Sequence, residues 1–112
     1  MKIEITIEGS EPYYFQLKKA QTIIGTSKDS DIPLAVEGIS RKHLVVIAEG
    51  DQYFVVDQGS SNGTFVNDER LVPGQRVEFT SFFPVKLAGQ VTLALLSDDE
   101  IDDKKFDFAS TL

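Results

Sequence analysis

The sequence predicts an all-β antiparallel sandwich: apolar and polar residues alternate over short segments, turn-forming residues interrupt them every several positions, and no helical period lasts beyond a turn or two. At 112 residues and 41% hydrophobic content, the chain is sized for one domain whose core needs neither disulfides nor metals.

The alternation starts at once. Ile3, Ile5 and Ile7 face one way and Glu4, Thr6 and Glu8 the other, until Gly9-Ser10-Glu11-Pro12 breaks the run. Residues 13–17 and 22–25 form the next two strands, and the polar segment 26–31 is a surface loop. A short apolar piece at 32–34 leads to a second polar loop, 37–43, and then to the β-branched run 44–47. Glu49-Gly50-Asp51 makes a hairpin turn into residues 53–56. A third loop, Gln58-Gly59-Ser60-Ser61-Asn62-Gly63, carries residue types that tolerate positive φ. Thr64-Phe65-Val66 is a brief strand on the core side of that loop, with Phe65 buried. Asn67-Asp68 and Val72-Pro73-Gly74 are turns, residues 76–79 are a strand, and two last strands around Leu87 and residues 91–95 flank the turn Ala88-Gly89-Gln90.

Composition excludes several functions. Without cysteine there is no disulfide, thiol nucleophile or cysteine-based metal site. The net charge of −7 divides into −3 over residues 1–96 (12 acidic, 9 basic) and −4 over residues 97–112 (6 acidic, 2 basic), so no broad basic footprint exists for nucleic acid. The charged N-terminal stretch lacks the apolar core of a signal peptide, and no segment is long and apolar enough for a membrane helix; the expected setting is cytoplasmic, with no membrane partner. A single histidine and no paired carboxylates placed by motif argue against an enzyme. No catalytic residue, metal ligand or cofactor is assigned.

Ile24-Gly25, Ser40-Arg41-Lys42-His43, Asp57, Ser60-Ser61-Asn62-Gly63-Thr64 and Asn67 occur in an order and spacing that resembles the forkhead-associated (FHA) domain, over roughly residues 22–87. The resemblance implies about eleven strands in two sheets (an FHA/SMAD-like sandwich) and loops at one end that recognise phosphothreonine in a protein partner. It implies that Ser40 donates its hydroxyl to phosphate, that Ser61 and Asn62 contact the phosphothreonine and peptide backbone, and that His43 braces the loops. Gly25, Gly63 and Asn67 fall to structural support. The chemistry suits these residue types: hydroxyls and amides donate to phosphate oxygens, and the Arg41 guanidinium offers a planar fork matched to them.

One position departs from the pattern. Thr26 stands where most members carry a phosphate-pairing arginine. Arg41 and Lys28 are the cations within reach, the latter as a point charge rather than a fork. The expected function is a non-catalytic interaction module for signalling or assembly, binding phosphothreonine segments through residues 40–43 and 60–63 with affinity weakened at Thr26. The alternative is a phosphorylation-independent protein-binding scaffold of the same fold.

Residues 1–96 are expected to be the domain and 97–112 an acidic tail or linker. Phe106 and Phe108 either pack back on the sandwich or dock another chain. Thr111, if phosphorylated, offers a route to self-association by occupying the loops of its own or another copy.

Overall fold

The computed structural model describes residues 1–98. The opening alternation becomes β1 (Lys2–Ile7), with Ile3 and Ile5 fully buried and the residues between them partly exposed. The other strands are β2 (Tyr13–Gln16), β3 (Gln21–Gly25), β4 (Ile32–Pro33), β5 (Leu44–Glu49), β6 (Gln52–Asp57), β7 (Thr64–Val66), β8 (Glu69–Arg70), β9 (Arg76–Glu78), β10 (Val85–Leu87) and β11 (Val91–Leu96).

They form a six-stranded sheet, β2-β1-β11-β10-β7-β8, and a five-stranded sheet, β4-β3-β5-β6-β9. The inner faces meet in one core: Ile3, Ile5, Leu87 and Leu93 from the first sheet against Ile24, Leu44, Val46 and Val55 from the second, with Phe79 and Leu34 closing it. Burying each large aliphatic side chain contributes about 1.5–3 kcal/mol, so the two alternating faces drive the packing.

Three features differ from the sequence expectation. Strands β3 and β4 pair in parallel, Ile24 with Ile32 and Gly25 with Pro33, because the intervening loop carries the chain back to run in the same direction. Pro33 lacks an N–H, which an edge strand tolerates. Next, Glu69-Arg70 forms β8, which is too short and too charged to show a period. It exists because Asn67 and Asp68 both take positive φ (52° and 65°) and close a two-residue hairpin onto Val66 and Phe65. Finally, Phe65 is half-buried rather than buried. Thr64 takes the inward position, so alternation turns Phe65 to the outer face, opposite Lys86 and Arg70.

Among the described residues no helix is long and apolar enough to cross a membrane. Ser97 and Asp98 follow β11, and the Asp98 carboxylate accepts from the N-terminal amine (3.3 Å) and from Gln16 Nε2 (3.1 Å). Phe106, Phe108 and Thr111 lie outside the described residues.

Candidate functional site

Four loops converge at one end of the sandwich: 26–31, 34–43, 58–63 and 88–90. The first two are joined by backbone. Thr26 N–H donates to the Ser40 carbonyl (3.0 Å) and Ser27 N–H to the Arg41 carbonyl (3.1 Å). This approach requires Gly25 to lack a side chain, since a Cβ there would stand 2.0 Å from the Arg41 carbonyl oxygen and 2.9 Å from that of Ser40. Asp31 anchors the far end of the 26–31 loop, accepting from the Ile23 N–H (2.8 Å) and pairing with Lys19. The Lys19 bond and then the Ile23 amide hold the Asp31 carboxyl below the usual carboxylate range.

His43 spans the second and third loops from a fully buried position. Its Nδ1 accepts from the Ser40 N–H (3.1 Å) and its Nε2 lies 2.9 Å from the Gly63 carbonyl. An amide can only donate, so Nδ1 is the bare nitrogen and Nε2 carries the proton. Gly63, at φ 90°, turns the chain so that its carbonyl also accepts from the Ala88 N–H (3.0 Å).

Asp57 fixes the third loop from below. Its buried carboxylate accepts from the Gly59 N–H (2.9 Å), the Ser60 N–H (3.0 Å), the Ser60 hydroxyl and the Thr64 hydroxyl (2.6 Å). Burial alone would raise its pKa. The hydrogen bonds, first from the Ser60 and Thr64 hydroxyls and then from the two amides, outweigh burial and hold the carboxyl below its ordinary value.

At the mouth of the site, Ser40 Oγ accepts from the Ser61 N–H (3.1 Å), which leaves the Ser40 hydroxyl proton free to be donated outward. Asn62 Nδ2 donates to the Gly38 carbonyl (2.8 Å), leaving its carbonyl oxygen and second N–H for another group. The structure thus brings Gly25, Thr26, Ser40, Arg41, His43, Ser61, Asn62 and Gly63 together. Arg41 and Lys28 are exposed, and neither side chain is hydrogen-bonded or ion-paired among the described residues. Thr26 is half-buried at the seam of the two loops. Asn67 stands apart, in the β7–β8 turn.

Arg70 is a residue the sequence did not single out. From β8 its guanidinium donates to the carbonyls of Ser61 (3.2 Å) and Ser60 (3.5 Å), and it packs against Gly63, where a Cβ would meet Arg70 Nε at 2.8 Å. The sequence reads Asn67-Asp68 as a turn, but nothing in the local pattern says that this turn closes a hairpin and carries Arg70 to the third loop. Replacing Arg70 by alanine is expected to speed amide hydrogen exchange at Ser60 and Ser61 several-fold while leaving the β5–β6 ladder unchanged. Unaltered exchange in the 60–63 loop would show that Arg70 does not hold it.

The FHA domain family model matches residues 22–88. The oxoglutarate dehydrogenase inhibitor of Corynebacterium jeikeium is 49% identical over 80 residues, covering 67% of this chain and 56% of that protein. The glycogen accumulation regulator GarA of Mycobacterium tuberculosis is 40% identical over 80 residues, covering 67% of this chain and 49% of GarA. The match therefore spans about half the length of these curated relatives. Among solved structures, an FHA domain studied for phosphothreonine-dependent interactions superposes with a TM-score of 0.71 at 22% identity, covering 87% of this chain and 99% of that one. Mycobacterium tuberculosis EmbR in complex with a low-affinity phosphopeptide superposes with a TM-score of 0.69 at 26% identity, covering 86% of this chain and 25% of EmbR.

Proposed function

The chain belongs to the FHA-domain family, and from that footing we propose that its loops 26–31, 40–43 and 60–63 recognise a phosphothreonine-bearing segment of a protein partner, as a binding module and not as an enzyme. One observation carries the proposal: Ser40 Oγ is held at the junction of two loops by the Ser61 amide, with its own proton left to donate, and Arg41, the next residue, has no partner among the described residues. A hydroxyl proton left to donate and a guanidinium on the adjacent residue are donor types that suit a dianionic tetrahedral group. The Asn62 amide, pinned through Gly38, presents a donor and an acceptor of the kind that pairs with an extended peptide backbone.

Thr26 weakens this binding. A charge-assisted hydrogen bond contributes about 1.5–3 kcal/mol, so the absence of an arginine there lowers affinity by about tenfold to more than a hundredfold. Thr26 also favours the second reading, a partner recognised through the same loops without phosphate.

Titration of a degenerate phosphothreonine peptide pool and its unphosphorylated twin separates the two. The native chain is expected to bind the phosphorylated pool better than the twin, the Thr26→Arg variant to bind it about tenfold tighter or more, and Ser40→Ala to lose the preference. Equal binding of both pools by all three proteins would establish the phosphate-independent reading. Binding of neither would end both.

A further inference from the structure

The two sheets end side by side at β8 and β9, each the last strand of its sheet. Between them runs a groove of about 460 Å³. Leu71, Val66 and Val77, which pack on the core, form its apolar floor, and the more exposed Val72 (61%) and Phe83 (49%) flank it. Phe82, 84% exposed, is the next residue to Phe83. Side chains this apolar and this accessible, set together around a concavity, mark a surface shaped for a partner.

Two observations define the occupant. The carboxylates of Glu69 and Glu78 line the groove, and neither is ion-paired among the described residues; the guanidinium that also lines it, Arg70, is committed to the Ser60 and Ser61 carbonyls. Those carbonyls are neutral, so Arg70 keeps its charge; two carboxylates against one guanidinium still leave the lining net negative, which favours a basic occupant. Arg70 further makes the groove continuous with the recognition loops, since one side chain lines the groove and touches Ser61.

We propose that this groove is a second recognition site for the same phosphothreonine-bearing partner, taking a bulky apolar side chain flanked by lysine or arginine. The inference rests on the phosphothreonine reading above. With two contacts on one partner, the second engages at the high effective concentration set by the first, which offsets the affinity lost at Thr26.

The test uses phosphothreonine peptides carrying an Ile-Lys-Lys segment about four to ten residues from the phosphothreonine on either side, a span of about 14–35 Å when extended. Control peptides carry Gly-Ser-Gly in its place. One window of offsets is expected to bind about tenfold tighter than the control. Val72→Gln, a neutral change at an exposed site outside the loops, is expected to cut that gain several-fold and leave the control peptide's affinity unchanged. No gain at any offset, or a gain that Val72→Gln leaves intact, overturns the groove. In parallel, an unphosphorylated Ile-Lys-Lys peptide is titrated while the amide resonances of Leu71, Val72 and Val77 are followed. Phosphopeptide binding at the loops without shifts at those amides, and without an offset gain, refutes the groove alone. Shifts there without loop binding overturn the phosphothreonine reading, and with it the groove's role as a second site for that partner. Silence at both places ends both.

Discussion

Gly25→Ala is expected to destabilise the protein by about 3 kcal/mol or more and to disrupt the loop face proposed for recognition. The added methyl would meet backbone, not a side chain that can swing aside: it would lie 2.0 Å from the Arg41 carbonyl oxygen and 2.6 Å from its carbon. Relief requires the 40–41 segment to move away from β3, which breaks the Thr26-to-Ser40 and Ser27-to-Arg41 hydrogen bonds. Ser40 then leaves the Ser61 amide. Urea unfolding measures the loss, and hydrogen exchange at Thr26 and Ser27 localises it. A variant with native stability and protected amides at both positions would contradict the close approach.

Asp57→Ala is expected to have an effect of similar size, about 3 kcal/mol or more. It strands two hydroxyls and two amides that now share one carboxylate, and each unsatisfied buried polar group costs about 1–3 kcal/mol. The third loop loosens as a consequence, since the remaining described tie to Ser60 is the long Arg70 contact to its carbonyl (3.5 Å). The same carboxylate gives stability a pH dependence of known sign. Its folded pKa is depressed, so its contribution is complete above the unfolded value of about 3.9 and is lost as pH falls through the lower folded value. Asp31, through Lys19, and Asp98, through Gln16, are depressed as well and add dependence of the same sign. The comparison that isolates Asp57 is therefore native against Asp57→Ala between about pH 5 and pH 2, where the native protein is expected to lose stability more steeply. Parallel slopes would mean that Asp57 is not held ionised by the loop.

How much of this was legible in the sequence depends on whether the cause was local. The isoleucine alternation of β1, the Gly50-Asp51 turn and the β-branched run of β5 are local signals, and the strands stand where those signals put them. The parallel pairing of β3 with β4 follows from the path of a loop, which no period encodes. The strand β8 depends on two residues taking positive φ together, and Phe65 is turned outward because Thr64 takes the inward position beside Asp57. The loop residues could be named because serine, asparagine, glycine and histidine fell in a recognisable order. Their geometry could not: the sequence does not state that Ser40 accepts from Ser61, or that Asn62 reaches Gly38. Arg70 was missed for the same reason as β8, since its place beneath Ser61 is made by the hairpin.

The central claim is that the loops around Ser40 and Ser61 form a face that senses phosphate on threonine. Amide chemical shifts of the native chain, followed while one phosphothreonine peptide and then its unphosphorylated twin are titrated in, test it most directly. The account predicts phosphate-dependent shifts concentrated at Thr26, Ser40, Arg41, Ser61 and Asn62. Identical shifts from the two peptides, or phosphate-dependent shifts that avoid these five residues, would contradict it.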